Sequence, residues 1–585
     1  MNGTISSGKR PRPFSLLLLL FSAAVVFVFG CGGDGSGGSS DGDTPSWTGD
    51  PVVETRYGAV RGYEDKSETW SWKAIPFAAP PLGELRWKAP RDPEPWDGVR
   101  ENNAFCSPCT QYAPVGDLIL GSEDCLYLNV WRPRTAERKL PVYFWIHGGG
   151  NSIGSARSND YNGANLAHRS NVVVVTTQYR LGPLGWFTHP AVRDQGVGAS
   201  EDDSGNYGTL DILHALKWVR DNIEAFGGDP RKVMIAGESA GAINVFSLLI
   251  SPRAEGLFHR ALAQSGIPRT STIEEGEQAA RELIKGLLVQ DGLAADLEQA
   301  AAVLDGMQPG EIETYLRSKS SRDLLAVYKP SFGGMLEFSK FPNVFLDGLV
   351  IPEGGYDALD EGSYPSKVPV MVGSNKEELK LFLFLDPTFQ GRDDLYQVVA
   401  SYGSDGWKAA GVDGLARRLR ANSDQPDVYA YQFLWGAGGD TGQSQIPDPW
   451  GFRLGCFHAL EIPFFFGNDS VLEVFQLLVF NKQNRPGREV LTSAMMAYAA
   501  EFLRTGNPNP PGSGLPEWLP WSNDPGGPKC ILFDVTPDQS LDVAMSNVEL
   551  TLEGVQESMA AEVPEPLYSE AAEYLESFLP RLFSE

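Results

Sequence analysis

The chain has 585 residues, 42% of them apolar and 21% charged, with 64 glycines and 42 prolines. That composition suits a globular protein with a large core and many loops. The formal net charge of −27 argues against nucleic acid as a partner, because a phosphate backbone would be repelled; neutral or cationic small molecules meet no such barrier.

The N-terminus reads as a processing signal. Lys9, Arg10 and Arg12 precede a largely apolar run from Phe14 to Phe29, which ends at Gly30-Cys31. The run is shorter than the ~20 residues of a membrane span and has the basic-then-apolar order of a secretory signal. Val28-Phe29-Gly30-Cys31 resembles a bacterial lipobox, which predicts Cys31 as the lipidated first residue of the mature chain; plain secretion after cleavage near Gly30 is the alternative. From Gly32 to Asp43 only Gly, Ser and Asp occur, a composition that buries no core and makes a flexible tether. The expected organisation is a signal peptide over 1–30, a tether over 31–50 and one catalytic domain over 51–585. The expected location is outside the cytoplasm, anchored by lipid on the periplasmic or outer-membrane side, or else secreted.

Export permits disulfides. Besides Cys31 there are Cys106, Cys109, Cys125, Cys456 and Cys530, an odd number that leaves at least one unpaired. Cys106-x-x-Cys109 has neither a second such pair nor a nearby histidine, so zinc is not expected. No other cofactor is expected either.

Four short apolar runs, Val142–Ile146, Val172–Thr177, Val233–Ala236 and Val368–Val372, show no polar alternation. They read as strands of a parallel sheet covered on both faces by helices. After Gly208, residues Ile212, Leu216, Val219 and Ile223 recur at helical spacing and mark one core-facing stripe. That helix should stop at Phe226-Gly227-Gly228-Asp229-Pro230. Strand and helix in alternation mean an α/β fold.

The strand Val233–Ala236 runs into Gly237-Glu238-Ser239-Ala240-Gly241, and Ala242–Ile250 continues as an apolar helix. A serine on such a strand–turn–helix bend, flanked by small residues, stands exposed above the sheet as a nucleophile. It needs a base, and in this arrangement the chain order is serine, acid, histidine. Of the six histidines, His147, His168, His189, His214, His259 and His458, only the last two follow Ser239. His259 leaves no room for an intervening strand and acid loop, so His458 is the base by elimination. The acid should follow a strand between the two. Val368–Val372 is such a strand, and either Glu377 or Glu378 could serve. Val142–Ile146 leads into His147-Gly148-Gly149-Gly150, where a triple-glycine loop can bring backbone N–H groups close to a developing oxyanion, with a further N–H from Ala240. No Gly-Lys-Ser/Thr follows, which removes a nucleotide-binding reading.

These features together resemble the type-B carboxylesterase family, the group of cholinesterases and bile-salt lipases, with its α/β-hydrolase fold. The likeness runs from about Gly58 to Trp521. It includes Ile75-Pro76-Phe77-Ala78, Leu85-Arg86-Trp87, Glu123-Asp124-Cys125-Leu126-Tyr127-Leu128-Asn129-Val130, Phe226 to Gly241, Gln264-Ser265-Gly266 and Thr505-Gly506-Asn507-Pro508-Asn509. The resemblance implies that Glu378 is the acid, although Leu379 stands where the family pattern has glycine. It implies His458 as the base, because Glu461-Ile462-Pro463-Phe464-Phe465-Phe466-Gly467 follows it. It also implies oxyanion donors at Gly149, Gly150 and Ala240, and a disulfide between Cys109 and Cys125, with Cys106 as the rival partner. The Cys109–Cys125 loop has no tryptophan of the kind that holds a quaternary ammonium, so a choline ester is not the expected substrate. Asn151 replaces the family's usual phenylalanine and predicts a more polar pocket mouth.

The expected function is hydrolysis of a small carboxylic ester through a Ser239–His458–Glu378 triad and an acyl-enzyme. A lipase on longer chains is the alternative. A non-catalytic adhesion or scaffold relative would be expected to lack part of this set. The oligomeric state is not legible.

Overall fold

The computed structural model of the protein describes residues 46–113, 118–328, 341–438, 444–473 and 475–583. The expectations for the signal segment, for most of the tether and for Cys31 lie outside these residues. The tether does not reach residue 50 as expected: Trp47 is 1% exposed in the main core and donates from its indole to the Thr135 carbonyl at 3.1 Å, so the packed domain begins before residue 51.

The core is an eleven-stranded sheet. In chain order its strands are β1 (Tyr63–Asp65), β2 (Thr69–Pro76), β3 (Tyr127–Pro133), β4 (Leu140–Ile146), β5 (Val173–Thr177) and β6 (Gly228–Glu238). They continue as β7 (Arg260–Gln264), β8 (Val370–Asn375), β9 (Val428–Phe433), β10 (Cys530–Val535) and β11 (Leu541–Ser546). Across the sheet the order is β11-β10-β9-β8-β7-β6-β4-β5-β3-β2-β1. The pairings from β5 through β10 are parallel. The outer pairings, β5 with β3, β3 with β2, β2 with β1 and β10 with β11, are antiparallel.

The predicted parallel strands are there, with shifted ends. Val368 and Pro369 precede β8, since Pro369 has no N–H to donate to a ladder and pairing starts at Val370. Val172 likewise falls just outside β5. Strand β6 starts earlier than predicted, because Gly228 already pairs with Leu140 before the register shifts ahead of Val233.

Strand alternation sends successive side chains to opposite faces. Val142, Phe144 and Ile146 therefore join one core with Val233, Ile235, Val370 and Val372, whereas Tyr143 and Trp145 join another with Met234, Ala236 and Met371. Helices α1 (Tyr207–Asn222) and α2 (Ala240–Ile250) cover the first face through Ile212, Leu216, Val219, Val245 and Leu248. The opposite face is covered by a helix, α4 (Arg485–Thr505), through Leu491, Met495 and Phe502. This two-sided burial explains why the central strands are apolar without alternation. Helix α1 ends as predicted: Ile223 falls in a short 3-10 turn that Gly227 closes at φ 79°. A third cluster joins α3 (Asp393–Lys408) to α5 (Leu552–Glu562) and α6 (Leu567–Phe578) through Leu395, Val399, Met559 and Leu575.

Among the described residues, no helix is long and apolar enough to cross a membrane.

Candidate active site

Strand β6 delivers Ser239 at the sheet's C-terminal edge, and α2 begins at the next residue. Ser239 has φ 57° and ψ −120°, a backbone state that costs a non-glycine residue on the order of 1–3 kcal/mol and persists only where its surroundings impose it. The imposition is visible. The Ser239 N–H donates to the Gln264 carbonyl of β7 at 2.8 Å, and the Ser239 carbonyl accepts from Ile243 at 3.0 Å in the first turn of α2. The start of α2 also crosses the sheet so closely that a Cβ at Gly241 would lie 2.1 Å from the Ile146 carbonyl oxygen. Ser239 remains partly exposed between the buried Glu238 and Ala240.

His458 lies on the loop that follows β9. Its Nδ1 is 2.5 Å from Glu378 Oε2. Glu378 sits just beyond β8, where its Oε1 accepts from the Asn375 N–H at 2.6 Å. Glu377, the other acid that chain order allowed, is turned elsewhere. It pairs with Lys380 at 2.6 Å and accepts from the Cys456 N–H at 2.9 Å, so it braces the histidine loop from outside. Leu379 has φ −67° and is buried in the third cluster. Its backbone is ordinary, and this turn does not require glycine.

Two further carboxylates close around the imidazole. Glu238 Oε1 lies 3.0 Å from His458 Nε2, but neither atom has an aligned hydrogen bond. Glu461 accepts from Asn375 Nδ2 at 2.6 Å and from the Ser265 hydroxyl at 3.4 Å. All three glutamates are buried. Burial opposes charge on His458, yet Glu238 and Glu378 outweigh it and hold its pKa well above 6.5. Burial raises Glu238. It also lifts Glu461 to about 8, with Glu238 and Glu378 adding repulsion. Phe382 and Trp407 flank the imidazole, with ring centroids 5.1 and 5.2 Å away, and Trp407 is fixed by donating to the Ser265 carbonyl at 3.2 Å.

Facing this wall is the loop after β4. Gly149 and Gly150 have φ of 102° and 64°, and neither N–H has a hydrogen-bond acceptor among the described residues. As the first helical residue of α2, Ala240 has no intrahelical acceptor for its own N–H. The loop is pinned at three points. His147 stacks on Tyr179 at 4.4 Å and accepts that phenol's hydrogen bond on its carbonyl at 2.7 Å. Burial lowers the His147 pKa to about 4, so the ring is neutral and its Nδ1 faces the Gly148 carbonyl at 2.9 Å. Gln111 grips Gly154 with its whole amide, donating to the Gly154 carbonyl at 2.7 Å and accepting from its N–H at 2.8 Å. Gln111 belongs to the loop closed by the Cys109–Cys125 disulfide, and Cys106 takes no part in that bridge. The third pin is Asn151. It is 2% exposed, with both amide atoms engaged, so the polar pocket mouth expected from it is not found.

Sequence reasoning missed Glu461, Trp407 and Phe382 as neighbours of His458. Glu461 carried a signal: it is an acid at the head of the apolar run Ile462–Phe466, with no cation in that run to pair it.

A nucleophile-type elbow on a largely parallel, doubly covered sheet defines an α/β-hydrolase. The model of the Carboxylesterase family matches residues 49–407. The para-nitrobenzyl esterase of Bacillus subtilis is 32% identical over 482 residues, 78% of this chain and 90% of that protein. The fumonisin B1 esterase of Sphingopyxis macrogoltabida is 38% identical over 399 residues, 66% of this chain and 67% of that protein. Among solved structures, a Geobacillus stearothermophilus carboxylesterase superposes with a TM-score of 0.66 at 30% identity, covering 85% of this chain and 98% of its own. The chain belongs to the carboxylesterase family and is a carboxylic-ester hydrolase.

Proposed function

We propose that the protein cleaves neutral carboxylic esters through an acyl-enzyme on Ser239, with His458 as general base and acid and Glu378 as its orienting carboxylate. The observation that carries this reading is the 2.5 Å contact of Glu378 with His458 Nδ1, supported by the 3.0 Å approach of Nε2 to Glu238, the residue before Ser239 in the elbow. Ser239 Oγ attacks the ester carbonyl carbon and its proton passes to His458 Nε2. The carbonyl π electrons move onto oxygen, where the N–H groups of Gly149, Gly150 and Ala240 receive the charge. Collapse of the tetrahedral adduct expels the alkoxide, which takes the proton from His458. Water, deprotonated by the same Nε2, then attacks the acyl-enzyme; the second tetrahedral adduct collapses with cleavage of the bond to Ser239 Oγ, which takes the proton back from His458, and the acid is released. Preorganised donors of this kind are worth roughly 10²–10³ in rate apiece.

Ser239→Ala tests the reading directly. Hydrolysis of a short p-nitrophenyl ester should vanish while circular dichroism stays unchanged; retained turnover would remove Ser239 from the mechanism. We further propose that Cys31 carries a lipid and that the Gly/Ser/Asp stretch from Gly32 to Asp43 tethers a single catalytic unit to the membrane face. Metabolic labelling with a lipid precursor should mark the wild type and not Cys31→Ser, and equal or absent labelling would contradict the anchor.

A further inference from the structure

The family resemblance and the triad leave unexplained a row of buried amides behind the triple-glycine loop. Asn244 lies on α2, five residues past Ser239, and is fully buried. Its Nδ2 donates to Asn151 Oδ1 at 2.9 Å. Asn151 Nδ2 donates in turn to Asn343 Oδ1 at 3.1 Å, and Asn343 Nδ2 donates to the Phe341 carbonyl at 2.8 Å. Asn151 and Asn343 are each 2% exposed. The direction of the row is forced. A backbone carbonyl only accepts, so Asn343 must present its NH2 to Phe341 and its oxygen to Asn151. Asn151 must then present its oxygen to Asn244.

The row joins two pieces of backbone that must keep a fixed distance. Asn151 follows Gly150 directly, and Asn244 stands one helical turn beyond Ala240. The Asn151–Asn244 bond thus ties the segment that carries the Gly149 and Gly150 N–H groups to the helix that carries the Ala240 N–H. Asn151 is anchored further through its carbonyl, which accepts from the Gly182 N–H at 2.7 Å. Its φ of 58° is a left-handed state that asparagine tolerates better than most residues. Buried primary amides are unfavourable unless hydrogen-bonded; Asn244 Oδ1 has no partner among the described residues, and what the bonded row supplies is fixed geometry.

We infer that Asn151 and Asn244 are positioning residues that set the spacing between the two halves of the oxyanion site. The inference rests on the oxyanion role proposed above for Gly149, Gly150 and Ala240. It assigns the two asparagines no contact with substrate.

The test compares Asn151→Gly, Asn244→Ala and the double variant. Glycine keeps the left-handed φ at 151 and removes only the amide. Steady-state kinetics on a p-nitrophenyl ester are paired with inhibition by a trifluoromethyl ketone, which forms a tetrahedral oxyanion with an active-site serine. Each single variant should lose about tenfold in kcat with KM changed less than about twofold, short of the roughly 10²–10³ that follows removal of a donor outright. Ketone affinity should weaken by the same factor as kcat. The double variant should lose little more than either single one, because both break the same link. The inference is overturned if kcat is unaltered in the singles, if the two losses multiply, or if kcat falls while ketone affinity holds. Thermal melting separates folding from positioning, and should Asn244→Ala not fold, Asn151→Gly decides through its kcat and ketone affinity. Failure of the underlying reading looks different: Ser239→Ala would stay active, or the ketone would not inhibit the wild type.

Discussion

The two walls of the site are built from opposite materials. Around His458 stand three buried carboxyl groups, Glu238, Glu378 and Glu461, of which Glu238 and Glu378 favour a positive imidazole. Behind the triple-glycine loop stand mostly neutral groups, the Asn151, Asn244, Asn343 and Gln111 amides and a His147 ring kept uncharged by burial, and Glu238 of the charged wall meets the loop at Gly148, where a Cβ would lie 2.8 Å from its Oε2. The proposed mechanism makes use of this division. In it a proton arrives on His458 as negative charge develops on the carbonyl oxygen, so carboxylates help on one side and would repel on the other. Each wall is held rigid by the bonds its material offers, charge to backbone N–H on one side and amide to amide on the other.

The charged wall should break most dramatically. Ser239→Ala or His458→Ala should lower kcat by at least about 10³-fold, since the parts of a triad act as a unit. Glu378→Gln should cost on the order of 10²–10⁴ in kcat by disturbing the imidazole tautomer. Glu377→Gln, one residue away, should cost little in rate and show mainly as a lower melting temperature, because its partners are Lys380 and the Cys456 N–H. Equal rate losses in the two variants would reverse the assignment of the acid.

The neutral wall should yield the smaller, coupled losses at Asn151 and Asn244 described above. A pH profile then sharpens the contrast. His458 is held charged above its usual 6.5, so the acid limb of kcat/KM for the free enzyme, which reports loss of the base's proton, should lie above 6.5. Glu238→Gln removes one of the charges responsible and should move that limb to lower pH. The same sign holds for stability: the contribution from this raised pKa is fully present below about 6.5 and is lost as pH rises through the folded-state value. An unmoved limb in Glu238→Gln would mean that its charge does not govern the base. Smallest in rate, Cys109→Ser should leave kcat within a few-fold while removing about 2–4 kcal/mol of stability, the usual worth of a bridge of this loop length. Urea denaturation would measure it.

The parts legible in the sequence are those that are local or ordered along the chain. The elbow is a contiguous motif set between a strand and a helix, and His458 follows from counting. Chain order could not separate Glu377 from Glu378, because neighbours on a turn differ only in where they point; family likeness pointed to Glu378, and the geometry places that residue against His458. Leu379 departs from the family's glycine at no cost, since its φ is ordinary. Asn151 was noticed but misread, because its partners Asn244 and Asn343 lie 93 and 192 residues further along the chain, and no local pattern links them. Trp407 and Phe382 were missed for the same reason. The antiparallel margins of the sheet also escaped, as short strands outside the doubly covered centre lack its continuous apolar signature.

The central claim is that Ser239 is the reacting atom's owner and His458 its base. It is tested most directly by treating the protein with a fluorophosphonate and locating the adduct by peptide mass spectrometry. A single adduct on the Ser239 peptide, absent in Ser239→Ala and strongly slowed in His458→Ala, is the predicted result. Modification of another residue, or full labelling without His458, would contradict it.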